Sequence, residues 1–137
     1  MKTIILKGRR IASGTAEGEA LVSKQAISFC GGVDPHTGII TERGHVLMNE
    51  NIKGKILVFP MGKGSSAFSH AAHACRVAGT QPKAIIISKI DAVVAQGTVA
   101  MHIPGVADLD QDPIEAISTG DYVKVDGDRG IVELLKM

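Results

Sequence analysis

Two short apolar runs on either side of an amphipathic segment constrain this sequence more than any other feature. Residues 55–59 (Lys55-Ile56-Leu57-Val58-Phe59) and 84–88 (Ala84-Ile85-Ile86-Ile87-Ser88) lack the polar alternation of a half-exposed strand. Runs this short and this continuous read as strands buried on both faces. Between them Phe68, Ala71, Ala72 and Cys75 recur at helical spacing, which predicts a helix over 67–78 with one apolar face. Pro60 stops the first strand and Gly79 stops the helix. Strand, helix, strand in that order is a parallel crossover, right-handed by the general rule.

The flanks read differently. Residues 3–11 and 16–23 have β character, and 28–40 is dense in turn formers, which predicts a structured loop. A short helix is expected at 92–96 and a short strand at 102–106. A helical turn is expected at 113–118, with Asp112 as its cap. The C-terminal part reads as a hairpin, with strands at 122–125 and 131–134 around Asp126-Gly127-Asp128-Arg129-Gly130. The sum is an α/β fold of mixed strands in two layers, with helices on one side and a central βαβ unit. Its 137 residues fit one domain, 1–137, with one core. With 3% aromatics and no Trp, that core rests on Ile, Val, Leu and Ala.

Lys plus Arg total 15 against 14 for Asp plus Glu, which gives no electrostatic case for nucleic-acid binding. No apolar run approaches the roughly 20 residues of a membrane span. The first ten residues lack the hydrophobic region and cleavage site of a signal peptide, so the expectation is a cytoplasmic protein without membrane association. Cys30 and Cys75 are too few and too isolated for a disulfide framework or a metal centre, and both are expected to be small buried hydrophobes. His70 and His73, three apart on one helix, have no evident third ligand and are expected to face solvent or a partner; His36, His45 and His102 read as surface or loop residues. Asp34 reads as a turn cap. Asp108, Asp110 and Asp112 lack the glycine and terminal glutamate of a calcium loop.

Chemistry is concentrated in residues 59–70. A buried strand enters a turn containing Gly62 and Gly64, and a helix follows. Such glycines let a ligand approach the backbone, and helix N-termini favour anions. Lys63 offers a positive charge, while Ser65 and Ser66 stand where a hydroxyl either caps the helix or faces a ligand. Gly62, Lys63, Gly64 and Ser66 are the candidate substrate-binding residues. The spacing is not that of a nucleotide-hydrolase phosphate loop.

Four stretches together resemble the small subunit, or swivelling domain, of the aconitase X family. They are residues 14–22 (GTAEGEALV), 27–38 (ISFCGGVDPHTG), 54–66 (GKILVFPMGKGSS) and 119–130 (TGDYVKVDGDRG), and they run in family order. The resemblance implies a swivelling β/β/α fold and a heterodimer with a large subunit that carries an iron–sulfur cluster, leaving no cofactor and no metal on this chain. It also implies dehydration of a hydroxy acid. In archaeal two-subunit forms the substrate is (R)-5-phosphomevalonate and the product trans-anhydromevalonate 5-phosphate, a step of isoprenoid biosynthesis; many bacterial forms use cis-3-hydroxy-L-proline. The family's catalytic serine after Gly-Lys-Gly falls on Ser65, and by similarity to aconitase its deprotonated form abstracts the α-proton. The archaeal pattern continues with Thr and a Gly-Ser-Tyr stretch, where this chain has Ser66-Ala67-Phe68-Ser69-His70, which leaves both substrates open. A reading of another class comes from Ser69-His70-Ala71-Ala72, similar to the phosphohistidine segment of swivelling domains in phosphoenolpyruvate-using enzymes, with His70 as carrier.

Overall fold

A computed structural model describes residues 2–63 and 67–136. In chain order the elements are β1 (Lys2–Lys7), β2 (Arg9–Ala12), β3 (Thr15–Val22), β4 (Ile56–Phe59), α1 (Ala67–Ala78), β5 (Ala84–Ile87), α2 (Ala92–Ala100), β6 (Gly105–Ala107), α3 (Pro113–Ala116), β7 (Tyr122–Asp126) and β8 (Ile131–Lys136). The strand order is β1-β8-β7-β3-β4-β5-β6-β2. The β1, β8, β7 and β3 part is antiparallel, whereas β3 to β6 run parallel. The central crossover over β4, α1 and β5 is present as read, and β5, α2 and β6 repeat it.

Side-chain parity shows how the sheet folds into two layers. Ile56, Val58, Ala84, Ile86 and Val106 join one cluster with Val123, Val125, Val132, Leu134 and Leu6 of the antiparallel strands. The alternate residues Leu57, Phe59, Ile85, Ile87 and Ala107 join Phe68, Ala72, Cys75 and Val94 of the helices. The parallel strands are thus sandwiched between the antiparallel layer and α1 with α2, which is why their sequences are apolar throughout. Burying each of the Val, Leu, Ile and Phe side chains among them contributes about 1.5–3 kcal/mol relative to leaving it exposed.

The layers meet at corner strands. In β3, Thr15–Glu19 pair with β7 and Ala20–Val22 pair with β4, so one strand serves both layers. The segment 3–11, expected to have β character, divides at Gly8, with β1 on β8 and β2 on β6. A side chain at Gly8 has no room, since its Cβ would lie 2.4 Å from the Ala107 carbonyl oxygen.

Two other elements depart from the sequence expectation. The helix expected at 92–96 continues to Ala100, and the strand expected at 102–106 shifts to Gly105–Ala107 because His102 takes a left-handed turn conformation, φ 56°. The Asp112 cap is as expected, its carboxylate accepting the Ile114 N–H at 2.9 Å. The three alternating aspartates serve separate purposes: Asp108 accepts Ile90 N–H and Asp110 accepts Lys7 N–H, while Asp112 caps α3.

Candidate active-site edge

The parallel strands β4 and β5 deliver their C-terminal ends to one edge of the sheet, the end at which open α/β sheets place ligands. Pro60 and Met61 follow β4 there, and Ser88, Lys89, Ile90 and Asp91 follow β5; these six line a cavity of about 380 Å³. A larger concavity of about 590 Å³ lies on the antiparallel layer, lined by residues such as Lys7, Glu17 and Lys124, none of which belongs to the chemistry-bearing turn. The cavity at the strand ends is the one adjoining that turn.

Gly62 is held on two sides. It pairs with Ile27 as a parallel bridge, flanked by Ile27 N–H to Met61 O at 3.2 Å and Lys63 N–H to Ile27 O at 3.1 Å. A Cβ at Gly62 would lie 2.5 Å from Val94 Cγ2 and 3.4 Å from the Phe68 ring, so glycine is required for close packing against α2 and α1. The Asp91 carboxylate caps α2 through Val93 N–H at 2.8 Å. Lys63 is exposed, and its ammonium meets the Glu42 carboxylate at 2.6 Å. Of the candidate residues, Gly62 and Lys63 therefore lie together at the strand-end edge. Gly64, Ser65 and Ser66 lie outside the described residues.

The long connection from β3 to β4 packs over this edge and along α1. Ile27, Phe29, Val33, Ile40 and Ile52 are buried in it, and the Phe29 ring packs against the Phe68 ring at a tilt of 40°, with centroids 4.8 Å apart. Its Gly31–Gly32 end adjoins Glu42: Thr41 N–H donates to Gly32 O at 2.9 Å, and a Cβ on Gly32 would reach 3.3 Å from Glu42 Oε1. Its other end reaches the far end of α1, where Thr80 Oγ1 donates to Pro35 O at 2.6 Å. So only the first part of the loop faces the glycine-rich turn. Asp34 caps its own turn by accepting the His36 N–H at 2.9 Å, as read.

The cysteines and histidines divide. Cys75 is buried as expected, and burial raises its thiol above the ordinary 9.0, opposed in part by a hydrogen bond with Thr80 and reinforced by the Asp34 charge. Cys30 is exposed, contrary to expectation, because Phe29 takes the inward position and the following residue turns outward. His70 and His73 are exposed as read. His45 lies in a loop, as read, but is buried: Nδ1 accepts Leu47 N–H at 3.0 Å, which leaves Nε2 to donate to Ala26 O at 3.0 Å. Among the described residues no group of three His, Cys, Asp or Glu is placed to hold a metal, and no helix is long and apolar enough to cross a membrane. Glu42 and Asp91 escaped the sequence reading, and His45 was read there only as a surface or loop residue. Only Asp91 had a local signal, as an acidic residue directly before a helix.

The family model described as the aconitase X swivel domain matches residues 5–134. The chain belongs to the aconitase X swivel-domain family. This swivel domain is 50% identical over 129 residues to the phosphomevalonate dehydratase small subunit of Methanocella arvoryzae, covering 94% of this chain and 98% of that one. It is 48% identical over 130 residues to the protein of the same name from Pyrococcus furiosus, with 95% of each chain covered. The crystal structure of Thermococcus kodakaraensis aconitase X in its holo-form matches with a TM-score of 0.91 at 44% identity, over 97% of this chain and 99% of that one. The β/β/α layering of the swivel domain is thus the fold that the four sequence stretches implied.

Proposed function

We propose that this chain is a single swivelling domain, 1–137, and the small subunit of a cytoplasmic, two-subunit hydro-lyase that dehydrates (R)-5-phosphomevalonate to trans-anhydromevalonate 5-phosphate. The observation that carries the reading is the near-full-length identity of 50% to the phosphomevalonate dehydratase small subunit of Methanocella arvoryzae. The glycine-rich turn at the strand-end edge supports it, since a turn with Gly62 and Lys63 suits an anionic substrate. Neither alternative, cis-3-hydroxy-L-proline as substrate or a phosphoryl group carried on His70, is favoured by the relatives' names.

The proposed partner is a large aconitase X-type subunit that forms a heterodimer with this chain. The described residues do not fit an iron–sulfur cluster, because Cys75 is buried and Cys30 stands apart in a loop. We therefore place the cluster on the partner and route no step of this chain's chemistry through it. Met61 and Ile90, exposed beside the strand-end cavity, are suited to contact that partner.

In the proposed reaction Ser65 is the general base. Its deprotonated Oγ takes the α-proton of the hydroxy acid, and the electron pair left behind forms the double bond as the C–O bond breaks and the β-hydroxyl leaves as hydroxide, which together with the proton now on Ser65 makes up the water lost. A serine alkoxide requires a dry site with converging donors, so closure of the partner over this edge is part of the mechanism. Gly62 anchors the turn by its close packing on α1 and α2, and in this proposal Gly64 gives the substrate access to the backbone while Lys63 and Ser66 bind it. The test is turnover of the reconstituted two-subunit enzyme carrying Ser65→Ala, compared with Ser66→Ala, which as a binding residue should raise KM without the loss in kcat, with both hydroxy acids supplied side by side. A general base predicts a loss of about two to four orders of magnitude with assembly intact. A Ser65→Ala complex that turns over at the wild-type rate removes the assignment.

A further inference from the structure

Lys89 lines the cavity at the ends of β4 and β5. The register pair Phe59 and Ile87 puts Met61 and Lys89 at matching positions past their strands, on the edge where parallel sheets hold ligands. Pro60, Met61 and Ile90 give the cavity apolar walls. Asp91 lines it too, but that carboxylate turns onto α2. It accepts Val93 N–H at 2.8 Å and Val94 N–H at 3.4 Å, and the helix N-terminus offsets its charge. Lys89 is the one cation among the lining residues, and it makes no ion pair among the described residues. Lys63, the other lysine of this edge, already meets Glu42 at 2.6 Å.

The backbone under Lys89 is fixed from the next strand. Asp108 directly follows β6 and reaches both neighbours of Lys89. Its N–H donates to the Ser88 carbonyl at 3.2 Å, and its Oδ1 accepts the Ile90 N–H at 3.0 Å. It does so at φ 54°, in the left-handed region that Asp and Asn tolerate and most side chains avoid. Its second oxygen faces Arg9 Nη1 at 3.4 Å, which ties the clamp to β2. Left-handed residues other than glycine persist where their surroundings over-determine them, and they cluster at ligand sites. A side chain mounted on such a fixed backbone loses less freedom on binding than one on a free loop.

We propose that the strand-end cavity binds an oxyanion of the substrate, with Lys89 as its cation and Asp108 as the positioning residue that holds the Lys89 backbone. The inference rests on the reading of the chain as a phosphomevalonate dehydratase subunit, whose substrate carries two such groups, a carboxylate and a phosphate. Lys89 touches the substrate; Asp108 acts through residues 88 and 90.

The experiment is steady-state kinetics of the assembled two-subunit enzyme with phosphomevalonate, with inorganic phosphate and acetate as inhibitors. Wild type is compared with Lys89→Met, Lys89→Arg, Asp108→Ala, Asp108→Asn, Arg9→Met and the Lys89→Met/Asp108→Ala double variant. Lys89→Met should raise KM about ten- to a hundredfold with kcat within about threefold, the scale of a hydrogen bond to a charged group. Lys89→Arg should keep most of the affinity. The inhibitor whose Ki rises in parallel, phosphate or acetate, identifies the group held. Asp108→Ala should raise KM less, and should add nothing in the Lys89→Met background. Asp108→Asn keeps the acceptor and tolerates the left-handed backbone, so it should stay near wild type, as should Arg9→Met. Lys89 is exposed, so its replacement leaves folding intact and decides the site even where Asp108→Ala fails to assemble. A wild-type KM for Lys89→Met, or a raised KM with both Ki values unchanged, overturns the oxyanion site while the dehydratase reading stands on wild-type turnover. The same rise from Asp108→Ala with Lys89 absent overturns the positioning role. A wild-type enzyme that does not dehydrate phosphomevalonate removes that reading and the inference with it.

Discussion

Replacing Gly97 by alanine sets two effects of opposite sign against each other. Gly97 lies inside α2, and an exposed helical glycine changed to alanine stabilises by about 0.8–1.0 kcal/mol. Here the new Cβ would stand 2.6 and 2.7 Å from Cε1 and Cδ1 of Phe68, well inside contact distance. The ring has little room to retreat, because the tilted Phe29 ring packs against it and Gly62 is closed against its edge. Overpacking of this kind costs about 1–3 kcal/mol. With the ring boxed in, the upper end applies, and the expected net loss is about 2 kcal/mol. Urea denaturation reads it directly as a lower midpoint at unchanged slope. The decisive comparison is the same substitution in a Phe68→Leu background. There the clash is relieved and Gly97→Ala should become neutral or stabilising by up to about 1 kcal/mol. A Gly97→Ala chain with a raised midpoint in the wild-type background would refute the packing argument, leaving propensity alone in control.

Two further predictions address the cofactor and the thiols. Reconstitution of the isolated chain with iron and sulfide should leave it colourless and without dehydratase activity; a cluster absorption band from this chain alone would show that Cys30 and Cys75 are ligands. At neutral pH a thiol reagent should modify the exposed Cys30 first and reach Cys75 only on unfolding, which peptide mapping of the labelled chain reads. Because burial raises the native Cys75 thiol above 9.0, the unfolded chain ionises it first as pH rises. Its contribution to stability is therefore complete below pH 9 and declines above it, and Cys75→Ala should flatten that alkaline decline.

The central crossover was legible because its strands are sandwiched and its helix is not. Burial on both faces leaves a continuous apolar run, and burial on one leaves a stripe at 68, 72 and 75. α2 was harder because Val93, Val94, Val99 and its alanines surround the axis and Gly97 interrupts it, so no stripe marks its length. The corner at Gly8 was invisible for a different reason: a strand that passes from one layer to another keeps its β composition throughout. The candidate site divides in the same way. Gly62 and Lys63 announce themselves by punctuation after a buried strand. Glu42 is one carboxylate in a long connection, and only the tertiary path through Ile27 and His45 brings it to Lys63.

The pairing of β1 with β8 fixes when this protein can fold during synthesis. Lys2 stands opposite Lys136 and Lys7 opposite Ile131, so the earliest strand waits for the last one. The region from β4 to β6 closes through neighbouring segments and has its helical cover at hand as soon as residues 56–107 leave the ribosome. Its other face, carrying Ile56, Val58, Ile86 and Val106, stays without its counterpart until β7 and β8 emerge. Such long-range pairing is slow and exposes apolar surface in the interval. Loss of a few residues from β8 would therefore do more than fray an end. It would strand β1 without a partner and take Val132 and Leu134 out of the cover over the parallel layer.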